Sequence, residues 1–171
     1  GGKEGLIAAL YEEAFERMAA TQESVPRPDN PLEWLAGLGA AYRQFALDYP
    51  SYYALMISAT LPLSELHDRS EKPVARGIAS QRAYTSLHEA VNACQQAGLI
   101  DPTLATEDLT SVFWATVHGH VSLELAGFHE TEETAARLFV FLTRNVVAGV
   151  LTKKGKAIWQ QVGTNTPGPT A

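Results

Sequence analysis

Trp114-Ala-Thr-Val-His118-Gly119 holds the side chains of this sequence best placed to do chemistry together. Trp114 and His118 are four residues apart, so on a helix they share one face. That face would give a flat, apolar molecule an aromatic wall and one titratable hydrogen-bonding ring. Gly119 costs a helix roughly 1 kcal/mol relative to alanine. A glycine kept inside an apolar helix points to something that comes close there. The plainer reading of the pair is a packed aromatic beside a core histidine with its hydrogen bonds made. Tyr84 and His88 repeat the spacing of four, and could face the same cavity or sit half-exposed. Phe45, Tyr53 and Met56 could close it from other helices, and Met suits irregular sites. Val121 follows His118 on the same side. The candidate ligand-binding set is therefore Phe45, Tyr53, Met56, Tyr84, His88, Trp114, His118 and Val121.

Other chemistries fit poorly. The 171 residues carry 13 Lys and Arg against 19 Asp and Glu, a formal charge of −6. That balance argues against a surface that grips nucleic acid. His118 and His120 are two apart and point to different faces of a helix, so they cannot chelate from it. Histidines four apart, the spacing a helical metal site needs, are absent, and no metal is expected. Neither a Gly-rich phosphate loop nor a Gly-x-Ser-x-Gly elbow occurs, so no enzyme and no cofactor is expected. Cys94 lies on an apolar helix face, where packing is its role. A lone cysteine makes no internal disulfide, which places the chain in a reducing cytoplasm. No secretory signal is recognisable, and no apolar run reaches the ~20 residues of a membrane span.

The elements that must position these residues read as helices almost throughout, because apolar residues recur at three and four. One helix is expected over about Lys3 to Ala20, with Leu6, Leu10, Ala14 and Met18 as its stripe. Prolines make Val25 to Pro31 a loop. Asn30 caps a second helix with Pro31 at its first position, and Pro50 interrupts it. A short apolar helix holds Tyr53 and Met56 and ends at Leu61-Pro62. Ser64 to Pro73 reads as a loop. A long helix is expected from about Val74 to Ala97, closed by Gly98. The next spans about 105–126 and ends at Gly127. Thr131 caps the last, which is expected to reach about Lys153. The domain so defined is 1–154, with 155–171 a disordered tail.

The last two long helices are apolar on two sides, and the helix before Gly127 has only Thr116, His120 and Glu124 as a polar seam. A helix that is apolar on two sides must be buried on two sides. In a chain of this size a second copy supplies the second burial most simply. The expected homodimer face comprises Ala115, Gly119, Leu123, Phe139, Leu142, Val146 and Val147.

The opening Gly2-Lys3-Glu4-Gly5-Leu6 onto an amphipathic helix, the Trp114-x-x-x-His118-Gly119 pattern and the Pro50-Ser-Tyr-Tyr-Ala-Leu-Met56 stretch, in that helical body, resemble the tetracycline-repressor (TetR) family. The Trp114-x-x-x-His118-Gly119 pattern looks like that of the subgroup with a Trp-His-Gly signature. The resemblance implies an all-α C-terminal bundle of about six helices, dimerising through the last two long ones. It implies a small, mostly apolar effector, and operator DNA bound only through an N-terminal helix-turn-helix head that this sequence does not contain. A stand-alone helical small-molecule-binding protein is the alternative.

Overall fold

The structure, a computed structural model, describes residues 3–57 and 78–162, all in one helical bundle. Seven helices occur among them: α1 (Lys3–Glu23), α2 (Pro31–Asp48), α3 (Pro50–Ile57), α4 (Ile78–Gln96), α5 (Thr106–Leu125), α6 (Glu132–Gly149) and α7 (Lys153–Trp159). No strand occurs among the described residues, only one isolated antiparallel bridge between Ile100 and Leu151. No helix among them is long and apolar enough to cross a membrane. The expectations for Leu61-Pro62, for the loop at 64–73, for a helix start at Val74 and for residues 163–171 fall outside the described residues.

Local chemistry sets the helix ends. The Asn30 side chain accepts the Leu32 N–H, with Pro31 opening α2. Thr131 accepts the Thr134 N–H at the start of α6, beside Glu132 and Glu133, which suit the positive end of the helix dipole. Gly98 closes α4 with φ +68°; its N–H reaches Gln95 O at 2.9 Å, and Leu99 N–H reaches Cys94 O at 2.9 Å. Gly127 closes α5 in the same way with φ +77°. Paired bonds of this kind satisfy the last helical carbonyls and need a left-handed residue.

The centre of the bundle lies where α2, α4 and α5 meet the chain's C-terminal segment. Leu32, Leu35, Leu38, Val91, Cys94 and Ile100 are buried there. Burial pushes the Cys94 thiol up to about 12, so it stays protonated and inert. α1 lies along α4 and also packs on α2 and α3. Its stripe is buried only in part: Ala14 and Met18 are enclosed, whereas Leu6 and Leu10 are exposed.

Two sequence expectations need correction at the C-terminal end. α6 stops at Gly149 rather than Lys153, because the chain turns to pair with the α4–α5 connection. Asp101 N–H donates to Val150 O at 3.0 Å, and Thr152 N–H donates to Leu99 O at 3.0 Å. Residues 155–162 are not a tail. Thr152 caps α7 through the Gly155 N–H, and Trp159 and Val162 are buried in the core.

Candidate functional site

α2 packs on α5 and faces α6 through small residues. Ala36, Gly37, Gly39 and Ala40 leave one side of α2 nearly bare, and a Cβ on Gly39 would sit 3.7 Å from Val117 and 4.0 Å from the Phe139 ring. The space they leave is a cavity of about 710 Å³, within the range of roughly 300–1,000 Å³ typical of small-molecule sites. α5 walls it with Phe113, Trp114 and Val117. α6 contributes Phe139, Val140, Thr143, Arg144 and Val147, and the chain's end contributes Trp159 and Val162. The lining is mostly aliphatic and aromatic.

One hydroxyl on the wall belongs to Tyr42, the anchor of a polar cluster. The Trp114 ring lies 5.8 Å from the His118 ring, tilted by 38°. Tyr42 and Tyr53 hydroxyls lie 3.0 Å and 2.9 Å from His118 Nδ1. The Tyr53 hydroxyl also reaches His118 O at 3.3 Å and Ser122 Oγ at 3.1 Å. His118 Nδ1 has one lone pair or one N–H to share between the two hydroxyls, and Tyr53 also has the His118 carbonyl and Ser122 within reach as partners. Burial keeps the cluster uncharged. It pushes the Tyr42 and Tyr53 phenols above their ordinary value and holds the His118 imidazole below its own.

Behind the Phe139 wall lies a charged cluster. Arg43 donates through Nε to Glu124 Oε2 at 2.8 Å and through a terminal nitrogen to Oε1 at 2.5 Å, with side-chain exposures of 18% and 8%. His120 Nε2 lies 3.0 Å from Ala135 O and 3.7 Å from Glu124 Oε2, and the His129 ring stacks on His120 at 5.0 Å. Burial lowers the His120 pKa, against the opposing pull of Glu124. His120 and Glu124 of the polar seam thus face inward.

The structure brings together only part of the candidate set. Trp114 lines the cavity. His118 stands one hydrogen bond behind it, through Tyr42, and Tyr53 one further, through His118. Val121 is buried against Ala46 and Tyr53, and Phe45 packs beside Tyr49; neither reaches the cavity. Met56 on α3 does not line it either. Tyr84 meets Ser111 at 3.3 Å, and His88 lies 3.5 Å from Glu107, both away from the cavity. Phe139, Val146 and Val147, expected at a partner's face, line the cavity; Phe139 and Val147 are buried by their own chain and Val146 is half-buried. The reason is that α6 turns this stripe towards α2. Ala115, Gly119, Leu123 and Leu142 are exposed. Sequence reasoning missed Tyr42, Arg144 and Trp159. The signal for Trp159 was present as an apolar Ala157, Ile158, Trp159, Val162 cluster in a stretch read as a tail. Among the described residues no group of three or more His, Cys, Asp or Glu is placed to hold a metal ion.

An all-α bundle whose central helix is stripped to glycine and alanine beside an aromatic-walled cavity defines the class of domain. Residues 35–146 match the family described as "Tetracyclin repressor-like, C-terminal domain", and the chain belongs to that family. No curated protein sequence matches it. A solved structure, "Structure of a protein with unknown function from Rhodococcus sp. RHA1", shares the fold with a TM-score of 0.69 at 22% identity. The match covers 88% of this chain and 74% of that one.

Proposed function

We propose that this chain is the effector-binding and dimerisation domain of a cytoplasmic TetR-like transcriptional repressor, with no catalytic step of its own. The cavity between α2, α5 and α6 carries the reading. A small, mostly apolar effector fills it, touching Trp114 and the Tyr42 hydroxyl that His118 holds in place. A second copy covers the open face of α5 and α6, where Leu123, Phe128, Val140 and Phe141 are exposed, Phe141 by 65% and Phe128 by 75%. Large apolar side chains this exposed support an interaction surface.

The effector acts by shifting the population between two arrangements of the bundle. α1 carries that choice to a helix-turn-helix head. It is tied to the rest of the bundle from two sides: Arg17 lies over the Tyr49 and Tyr52 rings at 5.9 Å and 5.3 Å, and Arg82 of α4 holds Glu16 at 2.7 Å and Glu23 at 2.6 Å. Tyr52 neighbours Tyr53, which holds His118, so α3 links the cluster to α1.

The test uses the chain and the full-length regulator together. Lipophilic compounds are screened by thermal shift; one present at 100 times its Kd adds about 2.7 kcal/mol of stability. Trp114→Ala reduces the shift, and the compound lowers operator affinity of the full-length dimer. Phe141→Glu converts the dimer to monomer in sedimentation. A compound that binds in the cavity and leaves operator affinity unchanged would instead describe a small-molecule-binding protein with no DNA role.

A further inference from the structure

Two charged residues line the cavity, Glu33 and Arg144. Glu33 is accounted for: it sits exposed in the first turn of α2, where the helix dipole favours an anion, and its carboxylate accepts from Asn30 at 3.1 Å. Arg144 is different. It is half-buried in the middle of α6, with its guanidinium 5.0 Å from the centre of the Trp159 ring. Its partners are neutral, the carbonyl oxygens of Val162 and, at 3.0 Å, Trp159. No described carboxylate lies within 4 Å of it. Arg17, Arg27, Arg43 and Arg82 each have one, although the first two are more exposed.

A half-buried cation without a counter-ion is costly, and a bound anion offsets that cost. Two of the five guanidinium N–H groups are used, so donors remain for a carboxylate, which Arg can engage through two parallel bonds. Two hydroxyls on the wall are already engaged within their own helices. Thr143 and Thr116 hydroxyls donate back into their own helices, at 2.8 Å and 2.7 Å. We propose that the cavity selects a lipophilic carboxylic acid, its apolar body between α2 and α5 and its carboxylate on Arg144. This rests on the reading of the cavity as the effector site. The acid also reinforces the wall it touches, because Arg144 already clasps the Trp159–Val162 segment.

The test compares two acids with their neutral alcohols on the intact chain: dodecanoate with dodecan-1-ol, below micelle formation, and 2-naphthylacetate with 2-(2-naphthyl)ethanol. Calorimetric titration at pH 8 is expected to show at least one acid binding about tenfold or more tightly than its alcohol, the scale of a charged hydrogen-bonded pair. Arg144→Gln removes that preference while alcohol affinity and cooperative unfolding persist, and Arg144→Lys keeps part of it. Equal affinity of acid and alcohol in both pairs overturns the proposal but leaves the cavity reading standing. A preference that survives Arg144→Gln overturns it as well. If none of the four binds, the acid assignment falls, and failure of every lipophilic compound in the wider screen would remove the effector site with it.

Discussion

Gly155→Ala isolates the docking of α7 on the rest of the bundle. Helix propensity alone says that replacing a helical glycine with alanine stabilises by about 1 kcal/mol. The structure predicts the opposite sign. A Cβ on Gly155 would lie 2.0 Å from Leu99 O, 2.9 Å from Leu99 C and 3.1 Å from a Leu151 methyl. Ordinary contact begins near 3.4 Å, so backbone must move by about 1.4 Å against backbone. The same corner holds Thr152 Oγ1 on Gly98 O at 2.7 Å and Lys154 Nζ on Ala97 O at 2.8 Å, which resist the shift. If the corner yields locally, overpacking costs about 1–3 kcal/mol. If α7 lifts off, Trp159 leaves the core, at a cost of the order of a large-to-small core change, about 3–5 kcal/mol. At roughly 2–4 °C per kcal/mol for a chain of this size, melting falls by about 2–20 °C. The assay is thermal unfolding at fixed protein concentration, with hydrogen exchange read at 156–162. Gly149→Ala is the control. Nothing lies within 4 Å of its Cβ, and it should match or exceed the parent in stability. A Gly155→Ala protein as stable as the parent, with unchanged exchange in α7, would refute the packing argument.

The buried Arg43–Glu124 pair gives a second prediction. Glu124→Leu leaves the Arg43 charge enclosed behind Phe139 without a partner, and destabilises by about 3–5 kcal/mol in urea unfolding. Adding Arg43→Met recovers most of that loss, and a double variant no better than the single one would show that the cost is not electrostatic. Stability also depends on pH. His118 and His120 are both held below the ordinary histidine pKa by burial, His118 among the Tyr42 and Tyr53 hydroxyls and His120 beside Glu124, Arg43 and His129. The unfolded chain therefore binds protons that the folded one refuses as pH falls below about 6.5. Stability is greatest above that value and declines through the window down to the folded pKa values. A melting temperature flat between pH 7.5 and 5.5, or rising on acidification, would contradict this.

Much of the fold was legible in local sequence. Asn30-Pro31 and Thr131 as helix starts, and Gly98 and Gly127 as stops, depend on a few consecutive residues and were read correctly. The inward or outward sense of a helix face does not. Thr116, His120 and Glu124 form a polar seam that a periodicity argument turns towards water. Yet His120 and Glu124 are enclosed, because α2 supplies Arg43 and α6 supplies the Ala135 carbonyl. With that seam turned in, apolar Val112, Leu123 and Leu125 turn out. The candidate site shows the same division. Trp114 and His118 were picked by their spacing of four, and one lines the cavity while the other positions Tyr42, seventy-six residues away in the chain.

The sequence by itself determined that this protein is helical, where most of its described helices begin and end, and which residues pair along one helix, because those depend on neighbours within about one turn. It also carried the family likeness, in the order of its short motifs. Only the tertiary structure decided that Phe139 and Val147 wall a cavity instead of facing outward, that residues 155–162 close it, and that Arg144 stands in it without a carboxylate. Those outcomes depend on contacts such as Gly155 against Leu99, and Gly39 against Val117 and Phe139, between segments whose separation along the chain leaves no local pattern to read.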